Sequence, residues 1–292
     1  YTGVRGFYED NIKVNKLVYR AIKHFNLPIV HTWYRYGQYE PYDQLRPKRL
    51  NIGPEEPDVK GFEPGIDGPP AIEEIEGFFI LEGINELWEQ ELFEFLRENY
   101  REYAPEEYKH AYLASTGIIE VLEEIYQAED QELLANIPEY RKQFKEYSID
   151  LQYEIDSNPA FDSEIYEHVR DFLKVCEGAL VAIESMEEPS ENVTQTLRTA
   201  RDKYHDSVWP WPAMVISVDQ VDGPSGEREY YREKGSEMLS EFEATFPTKV
   251  DAWKQEIESV GLVPDIRTYR KIRGPVSEPL VELEDATLNF DS

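Results

Sequence analysis

An amphipathic pattern fills residues 162–183, which read DSEIYEHVRDFLKVCEGALVAI. Its apolar side chains recur every three to four positions, the period of one face of an α-helix. Asp162 precedes the pattern and is a typical helix N-cap residue. The segment therefore predicts a helix that begins near Asp162 and buries one stripe: Ile165, Val169, Phe172, Cys176, Leu180 and Ile183.

The same period recurs along most of the chain and predicts an all-α fold, a multi-helical bundle of seven or eight helices. Pro105 is expected in the first turn of one of these helices, and Pro138 is expected to bend another. The remaining helices are predicted at 8–25, 71–103, 130–157, 190–208, 226–245 and 247–260.

Three other segments depart from the helical period. Residues 29–42 are rich in β-prone and aromatic side chains and predict a minor β-hairpin with Gly37 in its turn. Residues Trp209 to Pro212 read Trp-Pro-Trp-Pro, which favours a buried turn between helices over a polyproline recognition strip. Residues 214–221 fit either a strand or a short buried helix.

The long predicted helix at 71–103 is expected to face the core with a continuous apolar stripe. A Pro- and Gly-rich stretch at 51–70 precedes it and is typical of a linker or an exposed loop. This stretch suggests four regions: a small basic and aromatic N-terminal module at 1–50, the linker at 51–70, an acidic helical body at 71–262 and an extended C-terminal tail at 263–292. The predicted stripe consists of Ile72, Ile75, Phe79, Ile84, Leu87, Trp88, Leu92, Phe95 and Leu96.

The charge of the chain is strongly asymmetric. Sixty acidic and 30 basic residues give a net charge of −30, yet residues 1–50 hold nine basic and four acidic side chains and net +5. The acidic excess is spread through folded segments, which favours adaptation to molar salt and indicates a halophile; an acidic protein that meets a basic partner is the alternative. No apolar run approaches the length of a membrane span, so we expect a cytoplasmic protein with no membrane partner. The lone Cys176 is predicted to be a small buried hydrophobe.

The N-terminal segment resembles the opening of Panacea (SocA-like) antitoxin domains. The resemblance rests on Lys16-Leu17-Val18-Tyr19, on Leu27-Pro28-Ile29, and on the aromatic run from Trp33 to Pro41. Gln38 stands where that pattern has proline, and the match covers about 35 of the 292 residues. The resemblance implies a mostly helical module that binds a partner protein such as a toxin, with DNA as a second kind of partner.

The basic and aromatic N-terminal segment is therefore the predicted contact face. Three interpretations are ranked: docking of this segment on the acidic body first, binding of a protein partner second, and binding of nucleic acid third. Nucleic acid ranks last because molar salt weakens contacts to phosphate. The sequence thus predicts a non-enzymatic interaction or regulatory protein, with no cofactor and no catalytic residues. The candidate partner-binding residues are Trp33, Tyr34, Arg35, Tyr36, Tyr39, Arg46, Lys48 and Arg49.

A metal-binding helical-bundle enzyme is the alternative function, beside a nucleic-acid-binding regulator. Helical carboxylate bundles bind metals through Glu-x-x-His pairs. Glu107 and His110 have that spacing, and Asp202 and His205 repeat it with aspartate. In a chain this acidic such pairs are expected by chance, so both histidines are interpreted as surface or boundary residues.

Overall fold

The fold is described here for residues 2–35, 37–39 and 70–264 of a computed structural model. Helices dominate, and the prediction of an all-α bundle is confirmed. The elements in chain order are α1 (Thr2–His24), β1 (Thr32–Tyr34), β2 (Gly37–Tyr39), α2 (Ile72–Leu81), α3 (Ile84–Glu89), α4 (Leu92–Tyr103), α5 (Lys109–Gln127), α6 (Asp130–Ser157), α7 (Ser163–Glu184), α8 (Glu191–Lys203), a π-helical turn (Tyr204–Val208), α9 (Pro210–Asp219) and α10 (Ser225–Ser259).

The prediction of a single helix at 71–103 is wrong, because this segment forms three helices. Gly83 separates α2 from α3 and has a φ of +64°, a left-handed conformation that favours glycine. Gln90 and Glu91 are extended, and the Glu91 carboxylate accepts hydrogen bonds from the N–H groups of Phe93 and Glu94 to cap α4. Both breaks therefore have local chemical causes.

Two other predicted boundaries are also wrong. The helices expected at 226–245 and 247–260 are one helix, α10, with Pro247 inside it. Pro247 is exposed, so water can replace the backbone donor that proline lacks. Pro105 lies in a turn ahead of α5 instead of inside the helix, which begins at Lys109.

The Trp-Pro-Trp-Pro segment is helical, which corrects the predicted turn. The helix predicted at 190–208 ends as α8 at Lys203 and continues as the π-helical turn, where the Trp209 N–H donates to the Tyr204 carbonyl. Pro210 and Pro212 lie in the first turn of α9, where a missing N–H costs no helical hydrogen bond. Residues 214–219 belong to α9, so the helical alternative for 214–221 holds up to Asp219.

Helix α7 buries the apolar stripe that its sequence predicts. The Asp162 carboxylate accepts the Ile165 N–H at 2.9 Å, and all six residues of the predicted stripe are buried. Cys176 is fully buried, and burial raises the pKa of its thiol well above the usual range, which confirms the prediction of a small buried hydrophobe.

The described N-terminal residues pack on the helical body and share its core. Strands β1 and β2 pair antiparallel, with Tyr34 opposite Gly37, so the predicted hairpin is confirmed but Gly37 begins β2 and does not form the turn. His31 and Asp222 exchange two backbone hydrogen bonds at 3.0 and 2.9 Å. Ile12 and Trp33 belong to the same apolar cluster as the body, so these described N-terminal residues share its core. Residues 51–69 of the linker predicted at 51–70, and residues 265–292 of the predicted tail, lie outside the described residues.

Candidate functional site

Trp33, the first of the predicted contact residues, lies inside the core. Its side chain is 2% exposed and packs against Tyr19, Tyr100 and Tyr112, with ring centroids 5.8, 6.3 and 5.4 Å away. Its indole N–H donates to the Tyr19 hydroxyl at 3.3 Å. Because a partner cannot reach this ring, the prediction of Trp33 as a contact residue is wrong, and its role is packing.

The neighbouring predicted residues hold the hairpin on the body through their backbones. The Tyr112 hydroxyl donates to the Tyr34 carbonyl at 3.1 Å, and the Trp209 indole N–H donates to the Arg35 carbonyl at 2.7 Å. The side chains of Tyr34 and Arg35 are only partly exposed. For the other five predicted contacts the structure describes no side chain, and their role stays a prediction: Tyr36, Tyr39, Arg46, Lys48 and Arg49.

The basic side chains of α1 are engaged with the body. Lys13 donates from Nζ to the carbonyls of Trp88 at 2.7 Å and Gln90 at 2.5 Å. Arg20 forms an ion pair with Glu82 at 3.0 Å, and its guanidinium lies over the Tyr103 ring. These contacts correspond to intramolecular docking, the first-ranked interpretation of the basic segment.

Lys16 is the most deeply buried of these α1 cations. Burial lowers the pKa of its ammonium group to about 7, because the low-dielectric interior disfavours the charged form. Its position in the core leaves it out of reach of a partner. The charge reversal of the N-terminal segment therefore does not by itself make α1 a binding face.

The candidate metal ligands do not assemble into a site among the described residues. Glu107 accepts a hydrogen bond from Gln220, and Asp202 binds the guanidinium of its neighbour Arg201. His205 contacts Asp206 at 3.0 Å. Neither these residues nor His110 form part of any group of three His, Cys, Asp or Glu side chains within the described ranges that could hold a metal ion.

A different surface stands out on α2 and α3. Ile72, Ile80 and Leu81 are 72%, 76% and 88% exposed, and Trp88 on α3 is 39% exposed. We call these four residues the α2 surface. Large apolar side chains that are exposed to water become favourable contacts when a partner covers them, so this segment is the candidate protein-binding site.

Exposed carboxylates lie on the same two helices as the α2 surface. The glutamates alternate with the apolar side chains along the two helices, so any partner that covers the surface also meets negative charge. A partner with lysine or arginine beside its apolar side chains would be complementary in charge. The exposed acidic residues of α2 and α3 are Glu73, Glu74, Glu76, Glu86 and Glu89.

The orientation of α2 follows from its contacts with α1. Phe78 is its one buried residue and packs against His24 and Phe25, with ring centroids 4.6 and 5.5 Å away. Glu82 directly follows α2 and pairs with Arg20. Since these contacts hold one side of the short helix, Ile80 and Leu81 point outward.

The sequence interpretation missed this surface because it placed Ile72 in the buried stripe. Ile72 and Trp88 are exposed, and Ile75, Phe79, Ile84 and Leu87 are only partly buried, so the stripe is wrong for α2 and α3. The available signal was the width of the apolar face. Phe78-Phe79-Ile80-Leu81 places four consecutive apolar residues on a helix, more than one buried face can hold.

The chain belongs to the DUF8098 family, a domain family of unknown function whose model matches residues 72–289. The match begins at the first residue of α2 and therefore includes the α2 surface. It does not include residues 16–41, so the resemblance to antitoxin domains stays a prediction. No curated protein and no solved structure matches the sequence. Within the described ranges, no helix has the length and apolar character needed to cross a bilayer.

Proposed function

We propose that this protein is a non-enzymatic interaction protein that binds a partner protein through the α2 surface. The exposure of Ile80 and Leu81 carries the proposal. Covering an apolar side chain contributes about 1.5–3 kcal/mol, so a partner that buries both gains substantial binding energy. The proposed contact face is therefore on α2 and α3 and not on the basic N-terminal segment, where Lys13, Arg20 and Lys23 contact the body.

The acidic surroundings of the α2 surface define the chemistry of the partner. An amphipathic helix with apolar side chains on one face and lysine or arginine on its flanks would lay the apolar face on Ile80 and Leu81. Its cations would meet glutamates such as Glu76 and Glu86. A second copy of this chain would instead bring like charges together, which disfavours a homodimer through this surface.

A peptide titration tests this proposal. A synthetic amphipathic Leu/Lys helix should bind the wild-type protein, and the double substitution Ile80→Ser/Leu81→Ser should weaken binding by at least about tenfold, because the apolar anchors are lost. A Leu/Glu helix with the same apolar face should not bind. The dissociation constants can be measured by fluorescence anisotropy at constant salt.

The matched control is Ile149→Ser/Tyr153→Ser, which removes two exposed apolar side chains from α6 and leaves the charge unchanged. This control should bind the Leu/Lys helix as the wild type does. Equal weakening in both double variants would refute the assignment of the site. Concentration-dependent dimerisation that is lost in Ile80→Ser/Leu81→Ser would show that the surface binds a second copy, contrary to the proposal.

We also propose that the acidic surface is an adaptation to concentrated salt. At molar salt the Debye length is about 3 Å, so the carboxylates barely repel one another, whereas at 0.01 M it is about 30 Å. Dialysis into millimolar buffer should therefore loosen the fold and reduce the helical circular dichroism signal. Unchanged helicity in millimolar buffer would contradict this adaptation and would leave the binding proposal standing.

A further inference from the structure

A cleft of about 440 Å³ opens between α7 and α10, and none of its residues belongs to the α2 surface. Its floor includes the buried side chains of His168 and Trp211; the histidine is 6% exposed. Carboxylates from both helices surround the opening: Glu164, Glu167, Asp171, Glu243 and Asp251. Carboxylates are common on the surface of so acidic a protein, so the rim alone does not identify a binding site. The buried side chains of the floor supply the further evidence.

The hydrogen bond of His168 fixes which ring nitrogen carries the proton. Nε2 lies 2.7 Å from the carbonyl oxygen of Ser207. A carbonyl only accepts, so Nε2 carries the hydrogen and Nδ1 of the neutral ring keeps a lone pair. Among the described residues no group forms a hydrogen bond with Nδ1, and His168 lines the cleft, so Nδ1 is the ring atom that is left to accept from a ligand there.

The Trp-Pro-Trp-Pro segment follows Ser207 and limits the backbone donors available to its carbonyl. Pro210 and Pro212 have no N–H, and the Trp209 N–H donates to Tyr204. His168 donates to the Ser207 carbonyl from α7, and the same segment places Trp211 beside the histidine, with ring centroids 5.2 Å apart.

The histidine is held neutral at pH 7. Burial lowers its pKa below the usual value, and this outweighs the opposite effects of the Ser207 carbonyl, Asp171 and Asp251. A neutral ring keeps Nδ1 as a hydrogen-bond acceptor inside an acidic cleft. The site thus offers a cation one directed acceptor as well as diffuse negative charge.

Two cations of the protein contact residues at or beside the cleft. Arg170 pairs with Asp171 at 3.1 Å, and the Lys249 ammonium lies 4.8 Å from the centroid of Phe246, whose ring stacks on His168. The structure shows no ion pair for the other rim carboxylates among the described residues. Those that remain for a ligand are Glu164, Glu167, Glu243 and Asp251.

We propose that this cleft binds an alkylammonium group, whose N–H donates to Nδ1 of His168 while the rim carboxylates balance its charge. The alkyl stem lies against Trp211, where an aromatic face favours a cation and its adjoining methylenes. The volume accommodates a short diamine or polyamine. The same group could come from a free polyamine or from a lysine side chain of a protein.

Calorimetric titration with cadaverine tests the site in the full chain. Cadaverine should bind one-to-one, and Glu167→Gln/Asp251→Asn should weaken binding by about 10–100-fold, because a hydrogen bond or contact to a charged group contributes about 1.5–3 kcal/mol. The control Glu146→Gln/Glu154→Gln removes the same charge from α6 and should change binding less than about twofold. Equal losses in the two variants would mean only a diffuse counterion effect and would overturn the proposal.

Two further probes test the role of Nδ1. Choline has no N–H and should bind at least about tenfold more weakly than cadaverine, and the ¹⁵N shift of Nδ1 should move when cadaverine is added. Choline binding as tight as cadaverine, an unmoved Nδ1 shift, or displacement by equimolar Mg²⁺ would each refute the site. Nα-acetyl-lysine methylamide distinguishes the sources: binding at least as tight as that of cadaverine assigns the cleft to a lysine side chain, and much weaker binding assigns it to a free polyamine.

Lowering the pH provides an independent readout. Protonation of His168 removes the acceptor and adds a positive charge, so cadaverine affinity should fall as the pH drops through the pKa of this histidine, which burial lowers below its usual value. The charged groups that face His168 are the five rim carboxylates and the cations Arg170 and Lys249. His168→Phe should abolish this pH-dependent step even where it weakens binding throughout. A step that persists in His168→Phe would contradict the assignment to this histidine.

Discussion

Replacing Trp33 with alanine should lower the free energy of unfolding by about 3–5 kcal/mol. The indole lies among Tyr19, Tyr100 and Tyr112 and donates a hydrogen bond to Tyr19, so truncation leaves a large cavity and an unfilled polar contact. The loss is measured by urea unfolding at the salt concentration in which the wild type is folded. Such a loss is a large fraction of the stability of a typical domain.

Trp88→Ala is the matched control for the Trp33 substitution. It removes the same ring from a position that is 39% exposed, so its cost should be below about 1.5 kcal/mol. If Trp33→Ala costs no more than Trp88→Ala, the N-terminal hairpin is not part of the core. The packing described for β1 would then be incorrect.

Replacing Gly223 with alanine should destabilise the protein by about 2–4 kcal/mol. Gly223 has a φ of +127°, a conformation that residues with a side chain rarely adopt. An alanine Cβ at this position would lie 2.7 Å from the Cα of Val30, in backbone that cannot move without disturbing the His31–Asp222 bridge. The substitution therefore acts where the N-terminal segment joins the body.

Gly226→Ala is the control for the junction, and its effect should have the opposite sign. Gly226 lies in the first turn of α10, and no atom lies within 4 Å of its added Cβ. Alanine favours the helix there by about 0.5–1 kcal/mol. Equal unfolding midpoints for the two variants would show that residues 29–31 do not hold Gly223 in its strained conformation.

Local sequence information was sufficient for the core helices. In α7 the N-cap at Asp162 and the apolar period of 3.6 residues act on the same segment, and no tertiary contact overrides them. The hairpin near Trp33 was predictable for the same reason, because its β-prone residues are close in sequence. Periodicity alone placed Ile165 and Phe172 correctly inside the protein.

Helices α2 and α3 could not be predicted in this way, because contacts distant in sequence orient them. Arg20 lies 62 residues before Glu82, and their ion pair helps to decide which face of α2 turns outward. Ile72 fits the predicted buried period of the segment, yet it is exposed, as are Ile80 and Leu81. An apolar pattern in the sequence predicts which side chains a helix can bury. It does not show which part of the chain packs against that helix.

Charge was also a poor guide to contact with a partner. Lys13, Lys16 and Arg20 contribute to the basic character of the N-terminal segment, but all three side chains are buried. The charged ends of Lys13 and Arg20 contact the Trp88 carbonyl and the Glu82 carboxylate of the body. His168 was missed for a related reason. It lies on the buried side of α7 three residues after Ile165, and only its contact with Ser207 distinguishes it from a packed core histidine.

Hydrogen–deuterium exchange on the protein with and without the Leu/Lys helix tests the central claim most directly. The account predicts that bound peptide protects backbone amides in residues 72–89 and leaves residues 12–35 and 130–157 at their unbound rates. Protection confined to residues 12–35 would restore the basic N-terminal segment as the contact face. That result, or no protection of residues 72–89 at saturating peptide, would contradict binding through the α2 surface.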